Sequence, residues 1–165
     1  MLGVVLSDMG YPDQGLKRSQ EAVTLARQLS HPYSLATTLA WAGVVHLRHR
    51  AGHLAQALYD EVMALATELG FTYWQVAASQ FKSRALLQQG RVEEALALVR
   101  ESLPAWQAIG GVQVGLQMFL AGQAEIYSKA GLMQEACPLL VYNWFTEGFD
   151  TADLKDAKAL LDQLS

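Results

Sequence analysis

The chain is 165 residues long and 52% hydrophobic, enough for one ordinary domain with a sizeable core and no need of disulfide or metal staples. Twelve Lys and Arg against sixteen Asp and Glu leave a net charge of −4, which gives a polyanion no electrostatic footprint and argues against nucleic-acid binding. A single cysteine, Cys137, excludes an internal disulfide framework and a thiolate zinc cluster; Gln113, Gln117 and Glu125 break up the apolar runs that might cross a membrane, and Met1 to Leu6 lacks the basic leader of a signal peptide. A cytoplasmic protein with no membrane partner is the expectation.

In chain order, the first feature is a short apolar stretch, Met1 to Met9, ahead of a turn at Gly10. It is shorter than the helix of about 18 residues that the spacing of later turns calls for, so the first repeat reads as partial. Its apolar side chains Val4, Val5 and Leu6 are expected to form an uncovered edge, suited to self-association into a homo-oligomer. From Gly10 onward one template recurs: Gly, three variable residues, Gln or Glu, a small residue, then Leu or Cys. It starts at Gly10, Gly52, Gly90 and Gly131, with spacings of 42, 38 and 41. A second marker, Leu29, Leu69 and Ile109, recurs at 40 and 40. Periods of this size with two helical stretches per unit indicate stacked helical hairpins.

Each template Gly is expected to end a helix in the left-handed conformation, where a Cβ is penalised. Gly15, Ala57, Ala95 and Ala136 follow five residues later as small packing contacts, and the columns Leu16, Leu58, Leu96, Cys137 and Val23, Leu65, Leu103, Trp144 complete a buried stripe. The alternate helices are expected over Pro32–Ala51, Thr72–Gln89 and Val112–Ala130, with Pro32 at a first helical position. Leu39, Ala77 and Met118 should face their hairpin partners, and Gly43 and Gly122 permit close backbone approach. Pro104 and Pro138 each remove one backbone hydrogen bond and predict kinks. After Gly148, Thr151 can N-cap a last helix whose Leu154, Ala157, Leu161 and Leu164 share one face, as a solenoid cap would. The expected fold is all-α: a right-handed superhelix, or solenoid, of tetratricopeptide-like antiparallel hairpins. It is a single domain over 1–165, with a partial first repeat at 1–30, repeats at 31–70, 71–110 and 111–150, and a capping helix at 151–165.

Catalytic and metal readings are weak. His46 and His49 have i, i+3 spacing, but Gly52 interrupts the helix before His53, and closed zinc sites need three or four convergent ligands; His49 at a helix end is accounted for by the dipole, and His31 reads as a solvated loop residue. Cys137 occupies an apolar column and reads as a small buried hydrophobe. Glu93 and Glu94 complement a helix N-terminus, Asp60 and Glu61 read as a solvated face, and the four tryptophans default to core. No catalysis, metal or cofactor is expected. The surviving constellation is a polar stripe on the alternate helices, counted back from the template glycines: His46, Arg84 and Glu125, then Gln80, then Thr38 and Gln117. In a solenoid these six would form a ladder along the concave groove facing a protein or peptide partner, with Arg84 and Gln80 as its central contacts.

The hairpin template, together with the closing run from Tyr142 through Asn143, Trp144, Phe145, Gly148 and Asp150 to Asp162, resembles the C-terminal tetratricopeptide-like region of large bacterial signalling proteins. In these, a class III adenylate or guanylate cyclase-like or DNA-binding domain precedes an AAA/STAND-type ATPase module and a helical-repeat arm. The resemblance implies a non-catalytic regulatory or scaffold arm that binds proteins; a small-molecule sensor arm is the alternative. The chain holds no Gly-x-x-x-x-Gly-Lys-Ser/Thr phosphate loop and no counterpart of the cyclase metal carboxylates, so it reads as a piece detached from a longer polypeptide, with no nucleotide chemistry of its own. Its period also exceeds the 34 residues of the ordinary tetratricopeptide unit.

Overall fold

The computed structural model describes residues 1–108 and 116–132; for 103, 106, 107 and 116–121 it describes the backbone alone. The described residues form helices and turns with no strand: α1 (Leu2–Asp8), α2 (Pro12–Gln28), α3 (Pro32–Arg48), α4 (Gly52–Leu69), α5 (Thr72–Gln88), α6 (Val92–Ala108) and α7 (Leu116–Lys129). The chain divides into two compact units, Met1–Gly111 and Val112–Ser165. Cys137, Pro138, Trp144 and the expected capping helix at 151–165 lie outside the described residues.

In the first unit every helix packs on the next, and α1 also packs on α3 and α3 on α5. The odd-numbered helices therefore make one continuous row, with the even-numbered helices laid across it as hairpin partners. This is the consecutive packing of a helical repeat.

The repeat is more regular than the template glycines suggest. Left-handed residues end the odd-numbered helices at Gly10 (φ 87°), Arg50 (φ 54°), Gly90 (φ 77°) and Gly131 (φ 75°), a step of 40, 40 and 41. Ser30 (φ 49°) and Gly70 (φ 70°) do the same after α2 and α4, again 40 apart. The same pair of turn hydrogen bonds closes each odd-numbered helix. The N–H of Gly10, Arg50, Gly90 and Gly131 donates to the carbonyl three residues back. The following N–H, of Tyr11, Ala51, Arg91 and Leu132, donates to Leu6, His46, Leu86 and Tyr127 at 2.9–3.0 Å. These bonds satisfy the carbonyls that a helix end leaves orphaned.

Gly52 is thus no turn residue, correcting the sequence expectation: it is the first residue of α4 and buried. Its missing side chain serves packing, because a Cβ there would lie 2.8 Å from the Ala85 carbonyl oxygen and 3.0 Å from Gln88 Cβ. The column of small contacts moves with it. Gly15, Ala55 and Ala95 are buried, whereas Ala57 is exposed. The true core stripe of the even-numbered helices runs Ser19, Tyr59, Val99 and then Ala26, Ala66, at the 4- and 7-residue steps of one helix face. Leu54 is exposed, and Leu58 and Leu65 are only half-buried.

On the odd-numbered row Leu39 and Ala77 are buried as expected, alongside Val44, Val45 and Phe81. Each large apolar side chain fully buried here contributes about 1.5–3 kcal/mol. Pro12 and Pro32 sit at helix starts, and His31, expected in a solvated loop, caps α3 by accepting from the Ser34 N–H at 3.2 Å. Pro104 lies inside α6, which continues to Ala108. In the second unit α7 is the described element, with Gln123, Ile126 and Tyr127 buried.

Candidate functional site

Because the turns step by 40, the six-residue ladder does not occupy equivalent places. Four residues before Arg50 stands His46, and four before Gly90 stands Leu86. The residue matching Arg84 is Val44, and the one matching Gln80 is Ala40, both buried. The misplaced Gly52 shifted one repeat by two residues and aligned a core column with a surface one.

The structure separates the six accordingly. Thr38 lines a cleft of about 340 Å³ between α1, α2 and α3, while His46 lines another, about 240 Å³, between α2, α3 and α4. Gln80 is only 3% exposed and donates from Nε2 to Ser102 Oγ at 2.7 Å, pinning α5 to α6. Its role is core hydrogen bonding, and no partner reaches it while that hairpin is packed. Arg84 is half-buried and has no ion pair among the described residues; it lies near enough to Tyr59 to favour the ionised phenol. Glu125 is exposed on α7, and the Gln117 side chain lies outside the described residues.

Polar contacts between layers do exist, at positions the sequence pattern does not mark. The last residues of α1 and α3, Asp8 and Arg48, form an ion pair, with Arg48 Nη2 donating to Asp8 Oδ2 at 2.9 Å. That hydrogen bond holds the Asp8 carboxyl below its usual pKa. Gln88, one layer on, donates to the Leu47 carbonyl at 2.8 Å. Asp60 and Glu61 are paired as well: Lys82 reaches Asp60 at 2.5 Å and Arg27 reaches Glu61 at 2.8 Å. His49 faces the Pro12 carbonyl at 3.2 Å. Burial lowers the pKa of His46, and the nearby His49 and His53 lower it further. Among the described residues no three His, Cys, Asp or Glu side chains are grouped to hold a metal ion, and no helix is long and apolar enough to cross a membrane.

Apolar surface gathers at one end of the stack. Val4 is buried and Leu6 half-buried, but Met1, Leu2, Val5, Met9 and Tyr11 are exposed. One layer on, the residue equivalent to Val5, which is 48% exposed, is Val45 at 1%. The first hairpin thus leaves bare a helix face that the second has covered.

The site and fold together define a helical-repeat class of protein, with side chains arrayed for contact and none converging for chemistry among the described residues. No protein-family model matches the chain, and no curated protein is significantly similar to it in sequence.

Proposed function

We propose that the chain is a non-catalytic protein-interaction module: a right-handed superhelical stack of tetratricopeptide-like hairpins that acts as the regulatory or scaffold arm of a bacterial signalling ATPase or cyclase-like protein. The observation that supports this reading is the uncovered face of α1. Leu2 and Val5 stand where the next layer has Ala42 and Val45, both buried. The matching surface is therefore shaped to take one more hairpin of the same kind, and exposed apolar patches on otherwise well-covered domains mark interfaces. The occupant in this reading is a second copy of the chain, docking its own first hairpin. Arg84, unpaired on α5, is left as the polar contact for a partner segment along the odd-numbered row.

Light scattering across a concentration series tests the reading. The wild-type chain should exceed its 18.1 kDa monomer mass, and Leu2→Glu combined with Val5→Glu should return it to monomer with unchanged helicity. A wild-type chain that stays monomeric at every concentration would show an ordinary solvated end and remove the basis of the proposal.

A further inference from the structure

The 340 Å³ cleft between α1, α2 and α3 has a specific cause in the 40-residue register. In the next layer the Tyr59 phenol fills the equivalent junction. Its ring stacks on Phe81 with centroids 5.6 Å apart and planes at 16°, and its tip covers Gly43 so closely that a Cβ there would lie 2.5 Å from Cζ. Forty residues earlier the same three places hold Ser19 for Tyr59, Trp41 for Phe81 and Gly3 for Gly43. Gly3, Ser19 and Trp41 all line the cleft. The first layer therefore keeps the glycine floor and the aromatic wall of a ring-binding junction but lacks the ring.

We propose that this cleft binds a small neutral aromatic molecule, a single six-membered ring carrying a hydroxyl group, lying over Gly3 and against Trp41 as Tyr59 lies over Gly43 and against Phe81. The cleft exceeds the ~150 Å³ cavity that takes up benzene in an apolar protein interior and falls in the range of small-ligand pockets. Val4 and Ala22 supply apolar lining. Polar partners for a hydroxyl are in place. The Ser19 hydroxyl has no hydrogen-bond partner among the described residues, and Thr38 already donates to the Ser34 carbonyl at 2.7 Å, which leaves its oxygen free to accept. Arg18 at the cleft is paired with Glu21 at 2.8 Å, so no uncompensated cation selects for an anion. The site uses no partner chain, and its test is separate from that of the end face.

The experiment titrates the full chain with p-cresol, the side-chain analogue of tyrosine, by calorimetry and ligand-observed NMR, with 4-methylcyclohexanol as the non-planar control. Saturable p-cresol binding that the control fails to match supports the site. Ser19→Tyr, which supplies the missing ring from the chain itself, should abolish binding and raise the melting temperature. Trp41→Leu should weaken binding roughly two- to tenfold, the weight of one aromatic pair, and carries the test if Ser19→Tyr does not fold. No saturation by p-cresol, equal binding of the control, undiminished binding to folded Ser19→Tyr, or undiminished binding to Trp41→Leu would each overturn the proposal.

Discussion

The first layer of the stack, α1 and α2 against α3, and the second, α3 and α4 against α5, share a backbone plan and differ in what fills it. Where the second has Tyr59 fully buried between Gly43 and Phe81, the first has Ser19 beside an open cleft. The backbone closes more tightly in the first layer, since a Cβ on Gly15 would lie 2.5 Å from the Gly3 carbonyl oxygen. Close helix approach alone does not fill a junction between three helices; one large side chain per layer does. The most forceful way to break the difference is to give the second layer the filling of the first. Tyr59→Ala is expected to destabilise by about 3–5 kcal/mol, the cost of an aromatic-to-alanine cavity, measured by denaturant unfolding. Tyr59→Phe separates volume from polarity. The phenol oxygen is buried without a partner among the described residues, and burial raises its pKa well above the usual tyrosine value. Removing the hydroxyl should therefore leave stability unchanged or slightly improved, and a large loss would show that the oxygen is bonded after all.

A second difference lies at the start of the even-numbered helices, which begin Pro12, Gly52 and Val92. Only at Gly52 does the next odd-numbered helix come close enough to exclude a Cβ, and the atom in the way is the backbone oxygen of Ala85, which cannot rotate aside. Gly52→Ala should cost about 1–3 kcal/mol by overpacking, despite the better helix propensity of alanine. A stabilised variant would mean that α4 and α5 can separate freely, and the two layers would then be less rigidly spaced than their shared period suggests.

Much of this was legible in the residues, and the failure has a definite origin. The Leu29 and Leu69 marker carries the true 40-residue step, and it correctly separates the hairpins at 31–70 and 71–110. The glycine template does not, because one glycine in four is there for packing. The residue that does turn the chain after α3 is Arg50 at φ 54°, and nothing in an arginine announces a left-handed turn. That single substitution moved the second repeat by two residues. It turned Ala55 and Tyr59 from core into unremarked positions, and promoted Gln80 to a groove contact when it is buried against Ser102. The cleft was hidden for the same reason, since only the 40-residue register lines up Ser19 with Tyr59. The argument yields a further test. Arg50→Gly restores the residue found at Gly10, Gly90 and Gly131, relieves the left-handed penalty, and should stabilise by about 1 kcal/mol. No gain, or a loss, would mean that the Arg50 side chain makes a contact outweighing its backbone strain.

The smallest expected effect concerns His46, which lies in the cleft between α2, α3 and α4, while its equivalent in the next layer is the buried Leu86. Burial, reinforced by His49 and His53, lowers its pKa in the fold below the usual 6.5. The unfolded chain therefore takes up a proton at higher pH than the folded one does. Stability is fully present above about pH 6.5 and declines as the pH falls toward and through the lowered value, where the folded state protonates too and the decline stops. Asp8 acts in a separate, more acidic window, because its pairing with Arg48 is lost only as the pH drops through a carboxylate pKa already held below the usual value. Urea unfolding between pH 7.5 and 5 should thus show a shallow loss of stability that His46→Leu removes, since leucine is what the next layer already carries at that position. If His46→Leu leaves the slope intact, the proton is taken up elsewhere, and the first layer's cleft is more open to water around His46 than its half-buried ring implies.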